Sequence, residues 1–450
     1  MITDIYRRFR APALPFPPGE YDQQYVNQLN NVLRIYFNQL DNIIGELVAS
    51  QGPYYVQAGG TGADAFGRLR ISEPYTLFDS QNRYRKDPQF AESTSGGGAV
   101  TYVADESTVA LTVGTASGDE VVRQTYRVFP YQPGKSLQVM MTLVMNEGKT
   151  NLRQRVGYFG VNNGVFLQQN GTTLSFVLRT ATSGSPSDAR TVAQSSWNVD
   201  KLDGTGASGI TLDPTKAQIL WFDFEWLGVG SVRCGFIIDG IFYVAHVFNN
   251  ANDLDKVYMT TAILPLRYEI TNTDTTASSS TLKQICSTVV SEGGYERRAE
   301  QRIARATSSV SVSTTFIPIV SIRLASDSLG AVVLPSSYSV IPTGAGGANF
   351  EVVLIKNATL TGASWDTTTF PNTDYDVSAT ALSGGTILRQ DYMSASPLSS
   401  SPLNQEAFYN FALQLGVDLS GNSDIYTLAA RTLSGSNSVL GSLSFWNLTD

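Results

Sequence analysis

The sequence predicts a mainly β protein: an N-terminal extended arm and oligomerisation helix, followed by two β-sandwich, jelly-roll-like domains. Three observations predict it. From about residue 65 onward, short apolar and alternating runs recur between Gly, Asn, Asp and Ser turn signals. Charged residues make up only 16% of 450, and aromatics reach 10%, the profile of a turn-rich chain with a polar but weakly charged surface. One stretch breaks the β pattern, because residues 26–47 repeat their apolar residues at helical spacing.

Residues 1–20 form the arm. Pro12, Pro15, Pro17 and Pro18 forbid a regular helix and favour a polyproline-like course along a neighbouring molecule. Residues 21–52 form the coiled-coil-like helix, with Asp22 as its N-cap and Gly52-Pro53 as its stop. Its seam is Val26, Leu29, Leu33, Tyr36, Leu40, Ile43 and Leu47, alternately three and four apart. Val32, Phe37 and Ile44 widen the stripe beyond what a two-stranded coil needs. A lone helix this short is marginal in water, so it either packs on its own domain or bundles with copies of itself; the second is expected, with the seam as an oligomer interface, most simply of a homotrimer. Residues 57–64 (QAGGTGAD) read as a hinge.

The first sandwich spans 65–296. Strands are expected at 108–113, 137–145, 155–159, 165–168 and 174–178, with a hairpin turn at Asn170-Gly171. A three-strand meander follows over 219–226, 232–238 and 241–247, with a tight turn at Asp239-Gly240. Residues 297–307, rich in arginine, read as a helix-compatible linker. The second sandwich spans 308–450, with strands at 310–312, 316–323, 331–334, 350–355, 408–415 and 425–429.

The formal net charge of −8 gives no electrostatic reason to bind nucleic acid or an anionic membrane. No apolar run approaches transmembrane length, and the N-terminus lacks the apolar core of a signal peptide. Folding in a cytoplasm without membrane insertion is expected. Cys234 and Cys286 read as buried free thiols, and no metal or other cofactor is expected. The single histidine, His246, rules out a zinc site with two histidines and would have to serve any Ser-His-Asp triad. On a strand with no partner in view it reads as structural.

Asp223 and Glu225 lie two apart on one strand and share a face with Trp221. Such a pair can be the acid and nucleophile of a glycosidase, but polar-out alternation is the commoner reason for it. The loop 203–214 offers Asp203 and backbone carbonyls to calcium, yet lacks the acid spacing of a dedicated site and reads as a plain loop. Arg153, Arg155, Arg179 and Arg190 suggest a modest basic surface used in packing or assembly. No catalytic residue is assigned.

AFGRLRISEPYTLFDSQNRY (65–84) resembles the start of a domain found in virion structural proteins of large tailed bacteriophages, including cyanophages. The resemblance continues through 117–136, 151–160, 193–236, 258–270 and 278–296. It implies a place in a particle rather than a reaction. The expected function is therefore a structural, oligomeric virion protein: a tail, baseplate, neck or capsid fibre or appendage. Its partners would be copies of itself and, through the arm, other virion proteins. A carbohydrate-binding host-receptor role is the alternative, and a polysaccharide hydrolase ranks below it.

Overall fold

The computed structural model describes residues 19–50, 73–296, 298–344, 347–394 and 411–449. The chain divides into two units, residues 1–62 and 63–450.

The described part of the first unit contains one helix, α1 (Gln23–Ser50). Asp22 starts it: its carboxylate accepts from Gln24 N at 2.8 Å, and its carbonyl accepts from Val26 N at 3.1 Å. This satisfies a backbone N–H that the first turn leaves without a helical partner. Side chains are described as far as Asn38. Val26, Leu29, Leu33 and Tyr36 are half-buried, and none of the helix's described side chains is buried. Leu40, Ile43 and Leu47 lie on helical backbone, but their side chains fall outside the described residues. So do most of the arm, Gly52-Pro53 and the hinge.

In the second unit, fifteen described strands lie between Tyr75 and Glu292. They are β1 (Tyr75–Gln81), β2 (Phe90–Ser95), β3 (Ala99–Val103), β4 (Thr108–Val113), β5 (Glu120–Thr125), β6 (Ser136–Val144), β7 (Leu152–Phe159) and β8 (Gly164–Asn170), then β9 (Thr173–Thr180), β10 (Ser187–Ala193), β11 (Gln218–Phe224), β12 (Val232–Ile238), β13 (Ile241–Phe248), β14 (Leu266–Asn272) and β15 (Ser280–Glu292). They form two antiparallel sheets. One runs β13-β12-β11-β6-β15-β4-β3, with β1 also beside β15; the other runs β10-β9-β8-β7-β14-β5-β2. The expected meander is β11-β12-β13. Its Asp239-Gly240 turn has φ of 52° and 75°, the type I′ signature. In the other expected hairpin, Asn170 pairs with Thr173, so Gly171-Thr172 form the loop.

Period-two alternation sets the inner faces. On β14, Leu266, Tyr268 and Ile270 are buried in the core, while Arg267 and Glu269 face the other way. On β11, Leu220, Phe222 and Phe224 point inward. The two sheets meet through rings: Phe176 against Phe222 at 6.1 Å, and Tyr158 against Phe224 at 5.4 Å. Tyr268 also shares a hydrogen bond across the gap with Ser287 Oγ at 2.9 Å.

Eleven described strands follow: β16 (Glu300–Arg305), β17 (Val310–Val312), β18 (Ile317–Leu324), β19 (Val333–Pro342), β20 (Asn349–Lys356), β21 (Thr359–Thr361), β22 (Thr373–Asp376), β23 (Ala381–Ser383), β24 (Thr386–Ser394), β25 (Ile425–Thr432) and β26 (Asn437–Asn447). One sheet is β16-β26-β17 with β19 on the other edge of β26. A second is β22-β18-β25-β20-β24, and β21 pairs with β23. Ile322, Leu354 and Leu428 of the larger sheet share a core with Val333, Leu443 and Phe445 of the smaller.

The two strand groups are joined. Val332, Leu334 and Phe411 belong to the first group's core, and Trp446 and Leu448 pack on it. Val417 N donates to Tyr126 O at 2.8 Å, and Gln414 Nε2 to Val128 O at 3.0 Å.

Several expectations need correction. The charged stretch 297–307 is not a helical linker in its described part: Glu300–Arg305 pair with β26 as β16. Ala304 points into the core while Glu300, Ile303 and Arg305 are exposed, the charged exterior of an edge strand. The strand expected at 408–415 is, where described, a short 3₁₀ turn at Phe411–Leu413. Both cysteines are free, but Cys286 is exposed rather than buried, because it faces out of the sheet between inward residues of β15.

Candidate functional site

The outer face of the seven-stranded sheet carries a layer of guanidinium groups over aromatic rings. Phe159, Phe166 and Val177 are buried there although they face away from the main core. Arg155 and Arg179 lie 5.3 Å and 5.1 Å from the Phe166 ring centre. Arg267 lies 5.6 Å from that of Phe159. The cations thus shield the rings from water and gain from the negative ring faces. Gly157 makes room, since a Cβ there would sit 2.4 Å from Val165 O and 2.5 Å from Phe166 Cα.

Glu269 ties the layer together. Its Oε2 accepts from Arg267 Nη2 at 2.8 Å and Nε at 3.0 Å, and its Oε1 from Arg153 at 3.3 Å. Burial alone raises its pKa, but Arg267, Arg155 and Arg153 outweigh that and hold it below the usual carboxylate range. Asp188 plays the same part for Arg179, accepting from its Nε at 2.7 Å and its Nη2 at 2.8 Å. Burial, aided by neighbouring Arg153, lowers Arg155 to about 10.

Beside β1 and β2 lies an open, polar cleft of about 550 Å³ whose lining includes Asp79, Arg83, Tyr84, Arg85, Asp87 and Gln89. The Tyr84 side chain is 81% exposed, with Arg83 5.1 Å from its ring centre. A second cleft of about 300 Å³ shares Pro88 and Gln89 and continues onto Tyr126, Arg127, Lys356 and Asp424. Arg127 donates to Phe411 O and Gln89 Oε1, and burial lowers it to about 10. Lys356 and Asp424 pair at 2.9 Å. Exposed aromatic area beside convergent donors and acceptors can hold a polar, ring-shaped ligand such as a sugar.

The residues singled out in the sequence fare differently. Arg153, Arg155 and Arg179 come together, joined by Arg267, whereas Arg190 turns to Asn249 and Asn250. Asp223 does share the outer face with Trp221, but it is wholly buried and paired with Arg233. Arg233 in turn lies 5.7 Å from the Trp221 ring centre. Glu225 sits just beyond the strand and accepts from Ser231 N at 3.3 Å. In this arrangement a polymer in solution cannot reach Asp223. His246 Nδ1 accepts from Asn198 N at 3.3 Å, and its ring packs on Phe248. Burial lowers its pKa to about 4, with help from Arg190. In the loop 203–214, Asp203 Oδ1 is engaged by Thr205 N and Oγ1 at 2.9 and 2.6 Å. Among the described residues no cluster of His, Cys, Asp or Glu could hold a metal, and no helix is long and apolar enough to cross a membrane.

The Tyr84 cleft and Arg267–Glu269 were missed in the sequence. An alternating Leu-Arg-Tyr-Glu-Ile pattern was available at 266–270, and it would have placed arginine and glutamate on one outer face.

No family model and no curated protein matches the sequence. Solved structures match it in part. The receptor-binding domain of a botulinum neurotoxin C/D mosaic serotype is 11% identical over 48% of this chain and 47% of that chain, with a TM-score of 0.29. The chain thus spans about half the length of that toxin domain. A Bacillus licheniformis β-glucanase is 9% identical over 48% and 97% of the two chains, with a TM-score of 0.30. A legume lectin-like domain from Entamoeba histolytica is 11% identical over 47% and 96%, with a TM-score of 0.27.

Proposed function

We propose that the chain is a structural, oligomeric component of a tailed-phage virion. It would be an appendage protein held at its N-terminal arm, assembled through α1, and presenting a β-rich body without enzymatic activity. The observation that carries this reading is the exposure of α1. Its seam has coiled-coil spacing, yet none of its described side chains is buried, and Ile35 and Phe37 are 50% and 56% exposed. Bundling with copies of the same helix covers that surface. The resemblance of 65–296 to virion structural proteins supplies the setting, with assembly in a host cytoplasm and residence in the particle.

Light scattering coupled to size exclusion, at micromolar concentration, tests it. The full chain is expected to have the mass of three subunits and Leu29→Asp/Leu33→Asp that of one. A monomeric wild-type chain would sink the proposal.

A second reading is favoured by the cleft around Tyr84: the appendage binds a host surface glycan there. An array of bacterial surface polysaccharides should then retain the wild-type chain, with binding at least tenfold weaker for Tyr84→Ala. Equal retention of the two would remove Tyr84 from any such site.

A further inference from the structure

The strand β24 ends the five-stranded sheet, with only β20 beside it among the described strands. Long edge strands are usually guarded by charged side chains, above all lysine, by proline, by bulges or by shortness. The nine residues of β24, Thr-Ile-Leu-Arg-Gln-Asp-Tyr-Met-Ser, carry neither lysine nor proline. Ile387 is 48% exposed and Tyr392 67%.

The sequence of this edge is complementary to itself. In an antiparallel pair centred on Gln390, Arg389 of each strand faces Asp391 of the other. Leu388 faces Tyr392, and Gln390 meets its own copy. Each face of the ribbon then carries matched partners: opposite charges on one, a leucine over an aromatic ring on the other. Register is strongly set, since sliding by one residue moves every side chain to the wrong face. The charged pair is also held in place beforehand. Asp391 accepts from the Tyr338 hydroxyl and from Arg389 Nε at 3.1 Å, and Arg389 lies 5.9 Å from the Tyr338 ring centre.

We propose that β24 is a two-fold self-association surface, pairing antiparallel with β24 of a second copy about Gln390. The occupant is chosen by the charge complementarity of the strand with itself, the requirement of an isologous interface. A bulge against Leu354/Ile355 falls at Leu388, so the regular ladder is short and the association reversible. It adds a two-fold contact to whatever α1 provides and does not depend on it.

Disulfide trapping tests the register. In the full chain carrying Cys286→Ser, a Gln390→Cys substitution places two thiols on facing residues, with Cα atoms about 4.5–5.5 Å apart, within disulfide reach. Ser394→Cys places them about 25 Å apart. At least tenfold more cross-linked dimer is expected from Gln390→Cys. Equal or absent cross-linking at the two positions overturns the proposal. Sedimentation of Arg389→Asp should show at least tenfold weaker doubling of mass with concentration, and Arg389→Asp/Asp391→Arg should restore it. A double variant that stays as weak as the single one also overturns it. The Gln390→Cys cross-link should persist with Leu29→Asp/Leu33→Asp, and its loss would refute independence from α1.

Discussion

Glu269→Gln removes one negative charge from beneath the arginine layer and almost nothing else. The amide keeps the shape and one acceptor oxygen. What goes is the carboxylate bonded by Arg267 at 2.8 and 3.0 Å and approached by Arg153 at 3.3 Å and Arg155 at 3.5 Å. The Glu269 side chain is only 4% exposed, against 15% for Arg267 and 11% for Arg155. Breaking a buried pair by deleting one partner costs about 3–5 kcal/mol. Residual solvent at the arginines puts this case at the low end, ~3 kcal/mol. An unfolding entropy of roughly 2 cal/mol/K per residue over a few hundred cooperative residues converts that into a melting-point loss of ~4–6 °C. Thermal unfolding followed by circular dichroism at pH 7 measures it, with Glu120→Gln as the comparison. The pH dependence carries the sign. Because the folded pKa of Glu269 is lowered, its contribution is fully present above the unfolded carboxylate range and is lost as pH falls through the lower folded value. The gap between wild type and variant should therefore close in acid. A shift of less than ~1 °C at pH 7, on the same scale, would refute the view that Glu269 holds the layer together.

Two other predictions concern buried polar groups. Tyr158→Phe deletes the hydroxyl that accepts from Leu264 N at 3.0 Å and donates to Ala262 O at 2.8 Å; it should destabilise by about 1–3 kcal/mol, and unchanged urea unfolding would count against the bond. His246 should stay neutral far below the ordinary histidine range, so stability is intact above an unfolded pKa of about 6.5 and falls as pH drops toward about 4. Proton NMR of this single histidine should show no titration between pH 8 and 5, and a midpoint above ~6 would contradict the assigned burial.

Strands with clean alternation and strong turns were legible in the sequence. The meander β11-β12-β13 is the best case, because Asp239-Gly240 forces a type I′ turn between two apolar runs. The strands that escaped are those whose pairing is distant. β16 reads as a charged linker until β26 lies beside it. β24 alternates only weakly, because an edge strand has little to bury. The helix start was readable because an N-cap is local chemistry at Asp22. At the candidate sites, three of the four arginines singled out do converge. Glu269, the partner of Arg153 and Arg155, lies more than a hundred residues downstream, and one-dimensional spacing holds no trace of that. Asp223 shows the opposite error, since two acids on one face looked reactive until Arg233 and complete burial came into view.

The position of β26 has a consequence for how the body is made. This strand, Asn437–Asn447, is the last described along the chain, yet β16, β17 and β19 all hydrogen-bond to it. Trp446 and Leu448, at its end, pack onto the core that begins near Leu77. During synthesis β16, β17 and β19 therefore have no described strand beside them until Asn437–Asn447 emerges. Folding of this sheet is late, dominated by contacts between residues far apart in sequence, and correspondingly slow. Nascent chains that stop short of Asn437 carry those open edges into the crowded cell, where chaperone capture or aggregation competes with completion.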